Sequence, residues 1–131
     1  MELILNFLSY AGIGIAMLFV GLLMFEITTT TKEFKLIGEG NQAAAMSLGG
    51  KLLGLAFVLG SAIANSVSIT DMLLWGVIGI VAQIVFFYLA ELVTIRFSIK
   101  DAIEADNKAV GIMVLLLSLS IGWVLAQCLT Y

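Results

Sequence analysis

Three charged residues, Glu26, Lys51 and Glu91, lie where charge is expensive. Glu26 closes an apolar run that begins at Leu3 and reaches Phe25, Lys51 interrupts a second run from Ala43 to about Asn65, and Glu91 ends a third from Met72 to Ala90. An ionised side chain at mid-membrane costs about 2.5 to 3.5 kcal/mol on insertion scales, so a carboxylate there either meets a cation or takes up a proton. Lys51 is the one basic residue inside a run, which predicts that it lies near Glu91 or Glu26, with the other carboxyl at the interface or holding a proton. The readings open for this cluster are an internal charge pair that fixes helix register, a proton or cation pathway, and plain interfacial placement. Side-chain direction separates the costs. A helical side chain leans toward its own N-terminus, so Lys51, on a span that starts at a basic loop, can reach back toward water along its methylenes. Glu26 and Glu91 lean the other way, into the core.

Little else on the chain is reactive. There is no histidine, and the single cysteine, Cys128, permits no intramolecular disulfide and no cysteine metal site. Neither a catalytic residue set nor a metal or other cofactor is therefore expected. A net charge of −3 without a basic cluster argues against nucleic acid as a partner.

The elements that carry these residues follow from hydropathy. Of 131 residues 62% are apolar and 11% charged, with a mean hydropathy of +1.16, a composition far from that of soluble domains. A fourth apolar run extends from Ala109 to Tyr131. Each run has the roughly 20 residues needed to cross a hydrocarbon core of about 30 Å. Lipid offers backbone groups no hydrogen-bond partner, and runs without period-two alternation must then be helices. The expected fold is an all-α integral membrane protein of four transmembrane helices, a single domain over 1–131 with the lipid bilayer as its solvent. Met1-Glu2-Leu3-Ile4-Leu5 lacks the basic start of a secretory signal, which predicts that it opens the first span. Lys32 and Lys35 lie in the first loop, Lys51 near the start of span two, and Arg96, Lys100 and Lys108 around the third loop. The positive-inside rule then puts loops one and three in the cytoplasm and both termini outside. Tyr10, Trp75 and Tyr131 fall toward the outer interface, where amphipathic rings are favoured.

The chain also repeats itself. Setting Asn41 on Asn107 aligns Asn41-Gln42-Ala43 with Asn107-Lys108-Ala109, Gly54 with Ser120, Phe57 with Trp123, and Thr28 with Thr94. Two tandem helical hairpins result, 1–66 and 67–131, in the same orientation and related by an axis along the membrane normal. Asn41 and Asn107 fall where a helix follows a polar loop, as N-caps of the helix or as a shared ligand contact at the exposed N–H groups. Gly50 and Gly54, four apart on span two, are placed for close helix packing, within the bundle or against another subunit. Gln83, Tyr88, Ser118, Ser120 and Gln127 are polar positions on spans that either line a path or are satisfied by neighbouring helices.

Gly40-Asn41-Gln42-Ala43-Ala44-Ala45, then Gly49-Gly50, Leu53-Gly54 and Asn65-Ser66-Val67-Ser68-Ile69, within a four-span layout carrying a second Asn-x-Ala, resembles the YjfL-like bacterial inner-membrane proteins, domain-of-unknown-function family DUF350. The resemblance covers essentially the whole chain. It implies a multi-pass protein of the bacterial inner (plasma) membrane whose genes often neighbour those of phage-shock-type peripheral membrane proteins and ATP-grasp ligases; it carries no catalytic or transport residue set. The expected function is that of a small, homo-oligomeric, non-enzymatic subunit or scaffold in envelope maintenance or stress, with a possible cytoplasmic peripheral membrane protein partner. The competing expectation is a channel or carrier for a cation or small polar solute. The orientation is testable directly: with Cys128 replaced by serine, a thiol label should reach a cysteine placed at Lys100 only after cells are broken, and labelling of intact cells would reverse the topology.

Overall fold

The structure, a computed structural model, describes residues 2–28, 33–93 and 99–129, without the side chains of Glu91 and Val93. Lys32, Arg96 and Tyr131, used above for orientation, and the Glu91 side chain therefore lie outside the described residues. The chain is an all-α integral membrane protein. Four helices are long and apolar enough to cross a membrane: α1 (Glu2–Thr28), α3 (Gln42–Asn65), α4 (Ile69–Val93) and α6 (Lys108–Cys128). Two short helices, α2 (Glu33–Gly38) and α5 (Ile99–Glu104), precede α3 and α6. Sequence reasoning treated those segments as loops, because six residues are too few to show a helical period.

Each long helix buries one stripe and turns the rest outward. On α4 the buried positions are Met72, Gly76, Gly79, Ile80, Gln83, Ile84 and Phe87, the three- and four-residue spacing of one helical face. On α6 they are Val110, Gly111, Val114, Ser118, Gly122 and Ala126. The exposed faces are as apolar as the buried ones, with Leu3, Phe7, Phe19, Leu74, Phe86 and Leu116 among the outward residues, as lipid as solvent allows. α3 is the hub, packing against α1, α2, α4, α5 and α6 among the described residues, and its buried face is correspondingly broad.

The most intimate contact is between α3 and α6, which run in the same direction. A β-carbon added at Gly122 would lie 2.5 Å from the Gly54 Cα, and one at Gly50 would lie 2.5 Å from the Leu115 Cα. At the helix starts, one at Gly111 would lie 2.8 Å from the Ala43 Cα. Backbone meets backbone along the whole crossing, which only small residues permit. Near the other end the Ser61 hydroxyl donates to the Ala126 carbonyl at 2.5 Å.

The turns that lead into α3 and α6 share one hydrogen-bonding scheme. Asn41 N–H donates to the Leu36 carbonyl and Asn107 N–H to the Ala102 carbonyl, both at 2.9 Å. Gly40 N–H reaches the Ile37 carbonyl and Asp106 N–H the Ile103 carbonyl, both at 3.0 Å. Gly40 (φ +87°) and Asp106 (φ +58°) both occupy the left-handed region, which ends a short helix and redirects the chain.

Because the obstruction at Gly122 is backbone, Gly122→Ala must push α3 and α6 apart. We expect a loss of about 1–3 kcal/mol, read as a lower melting temperature in detergent. Gly49→Ala, where the added carbon meets nothing within 4 Å, should leave the melting temperature essentially unchanged.

Candidate functional site

Lys51 lies in the first half of α3 and is buried, with 2% of its surface exposed. Its ammonium does not reach back to water. It is paired with the carboxylate of Glu33, itself 1% exposed, which α2 folds in from the first loop. The expected neighbour was Glu26 or Glu91; the structure pairs Lys51 with Glu33 and sets Glu26 beside that carboxylate, and the Glu91 side chain lies outside the described residues. The ammonium also lies 4.5 Å from the centre of the Phe87 ring and 5.6 Å from that of Phe25, and these two rings meet edge-on at 6.0 Å. Three helices thus surround one cation with a carboxylate and two aromatic faces, an arrangement that replaces much of the hydration the lysine gave up.

Glu26 stands at the edge of this site. Its Oε1 accepts from the Phe34 N–H at 3.4 Å, so a carboxylate at the end of α1 helps hold the start of α2. Burial pushes the Glu33 carboxyl above the usual glutamate range; Lys51 and Ser47 draw it back down, and the nearby Glu26 charge adds to the rise. Chemically, the site is a buried ion pair with a second carboxylate beside it. It tethers the first loop to the interior of the bundle.

Glu33 had no signal as a buried residue in the sequence. It stands in the mixed-charge segment Lys32-Glu33-Phe34-Lys35, which reads as solvated loop. Its flanking Leu36 and Ile37, which pack against the core, are the one hint that the loop folds back.

The two asparagines are N-caps. The Asn41 side-chain oxygen accepts from Ala44 N–H at 2.8 Å and that of Asn107 from Val110 N–H at 3.3 Å. Asn41 does more: its amide nitrogen donates to the Ile103 carbonyl at the end of α5 at 2.6 Å. Asp106 answers from the other side, its Oδ1 accepting from Ala43 N–H at 2.9 Å. The turn before α6 therefore caps α3, a role open to Asp106 and closed to Gly40, which has no side chain. Gly50 and Gly54 lie in the α3–α6 contact. Of the polar span residues, Ser120 donates to the carbonyl of Leu116 on its own helix at 2.7 Å.

Removing one member of a buried ion pair leaves the other uncompensated, typically a loss of about 3–5 kcal/mol, whereas replacing both by apolar residues is often neutral. Lys51→Met should therefore lower the melting temperature sharply, and Lys51→Met with Glu33→Leu should restore most of it. A loss in the double variant equal to the sum of the losses in Lys51→Met and Glu33→Leu alone would show that the pair is not coupled.

The family model described as Domain of Unknown Function (DUF350) matches residues 1–129. The UPF0719 transmembrane protein YshE of Bacillus subtilis is 36% identical over 118 residues, covering 90% of this chain and 88% of that protein. The UPF0719 inner membrane protein YjfL of Escherichia coli K12 is 34% identical over 131 residues, covering 100% of this chain and 98% of that protein. No solved structure matches the chain. A match across nearly the full length, carried by relatives of the same size, places this chain in the DUF350 family.

Proposed function

We propose that this chain is a non-enzymatic, homo-oligomeric subunit of the bacterial inner (plasma) membrane that presents its α2 and α5 loops to a peripheral membrane protein partner in envelope maintenance or stress. The observation that supports this most is the filled centre of the four-helix unit. With the α3 and α6 backbones in contact at Gly50, Gly54, Gly111 and Gly122, no lumen runs between those helices. The faces left over are lateral and apolar. One groove between α3 and α6 is lined by Ala56, Gly60, Ser61 and Ala64 beside Trp123, and another between α1 and α3 by Ala11, Gly14 and Gly60. Small residues on outward faces are how membrane helices associate. Lys35, Lys100 and Lys108 all lie on the side of the bundle that carries α2 and α5, which favours the cytoplasm for that side.

A second reading is a channel or carrier for a cation or small polar solute, formed between subunits. What favours it is the presence of Glu33, Lys51 and Glu26 together at one end of the bundle. Native mass determination in mild detergent, with ion flux measured in liposomes, separates the two. A defined oligomer without flux is the expected result. A monomer overturns the assembly, and flux abolished by Lys51→Met with Glu33→Leu establishes the second reading.

A further inference from the structure

α3 is packed on every side but one. α4 meets it at Gly54, Val58 and Leu59, α6 at Gly50 and Gly54, and α1 at Leu55 and Ile63. Ala56, Gly60 and Ala64, four residues apart on one face, stay exposed as a ridge along the outer half of the helix. A groove runs down each flank of that ridge. One of about 390 Å³ separates it from Trp123 and Gln127 of α6, and one of about 240 Å³ separates it from Ala11 and Ile15 of α1. Ala56 and Gly60 line both grooves. Gly50 and Gly54 lack side chains because the α6 backbone lies against them, whereas a β-carbon at Gly60, or at Gly49 nearer the start of the helix, would meet nothing within 4 Å. No charged residue lies between Leu52 and Asn65.

Glycine inside a helix costs stability relative to alanine, and against lipid alone it gains nothing; what it permits is the approach of another backbone. We propose that the exposed face of α3 is the contact between two copies of this chain, the Ala56–Gly60–Ala64 ridge of one meeting the same ridge of the other about a twofold axis along the membrane normal. This rests on the homo-oligomeric reading above and adds the face and the symmetry. Copies inserted in one orientation are paired by such an axis, and the contact is then self-complementary. The flanks supply the fit. Because α1 lies beyond one groove and α6 beyond the other, a half-turn sets α1 of each copy opposite α6 of the other. Ile15 and Phe19, exposed on one face of α1, then stand at the wider groove beside Trp123. Depth agrees as well: Ile15 and Trp123 border the same Ala56–Gly60 stretch, and rotation about the normal leaves each at its own level. A face three helices wide, about 20 Å, and about 30 Å tall offers about 600 Å² in projection and more along its ridges, close to the roughly 800 Å² per partner that stable interfaces bury.

The test uses the full chain in native membranes, in a Cys128→Ser background, read by disulfide cross-linking and by native mass in mild detergent. Gly60→Cys lies beside the proposed axis and should link to its own counterpart several-fold more than Phe86→Cys, exposed on α4. Ile15→Cys and Trp123→Cys, carried on differently tagged chains made together, should give a mixed dimer. Gly60→Ile, which has room within a single copy, should lower the native mass while the far-ultraviolet circular dichroism stays unchanged. A defined oligomer in which Gly60→Cys links no more than Phe86→Cys overturns this face and leaves the assembly standing. Linkage of Gly60→Cys to a different protein in place of a second copy overturns it too, and linkage without the mixed dimer overturns the twofold arrangement. A monomeric mass, with lipid then covering the ridge, overturns the face and the assembly together.

Discussion

Most of this molecule follows from two backbones that touch. Where α3 and α6 cross, Gly54 faces Gly122 and Gly50 faces Leu115 with no room for a side chain between them. Membrane helices gain nothing from hiding apolar surface, since the tails around them are equally apolar, so their association rests on close packing and on the few polar contacts available. A crossing this close supplies the packing. It also fixes what the neighbouring helices can do: α4 lies against α3, with its Gln83 amide nitrogen reaching the space at Gly54, and α1 lies on α3 with Gly14 and Gly21 at the contact.

The buried ion pair is built onto that frame from outside it. Lys51 belongs to a spanning helix, but its counter-charge arrives on a six-residue helix in the first loop. The geometry couples a loop segment to the interior: whatever moves α2 moves a carboxylate away from a lysine ringed by Phe25 and Phe87. Glu26, whose carboxylate accepts from the start of α2, ties the end of α1 into the same arrangement. Both contacts, the buried Glu33 charge and the Phe34 N–H bond to Glu26, fall at the start of α2 and fix that segment against the bundle.

How much of this was legible in the sequence depended on whether the signal was local. The four spans were, because length and hydropathy are properties of a single run, and observed helices such as α4 at Ile69–Val93 extend the run Met72–Ala90 by a few residues at each end. The asparagine caps were placed by their position between a polar loop and an apolar run. Lys51 stood out as a charge in an apolar stretch, yet its partner did not, because Glu33 sits among lysines and only the fold-back of α2 makes it a core residue. Gly50 and Gly54 announced a close contact without naming the helix that makes it. Which face of α3 meets α6 is decided by side chains far apart along the chain, and no spacing within one span encodes it. Gln83 and Ser118 were visible as polar span residues, but that both lie beside Gly54 needed three helices in place.

The turns before α3 and α6 share their backbone scheme, and the residue in the left-handed region is Gly40 in one and Asp106 in the other. That difference makes the two turns unequal. Asp106 reaches across to close the start of α3, and α6 receives nothing of the kind from Gly40, which has only hydrogen to offer. Without the Asp106 carboxylate the start of α3 would lose an acceptor for the Ala43 N–H. The turn before α6 thus acts as a latch on the start of α3, and the bond runs one way only.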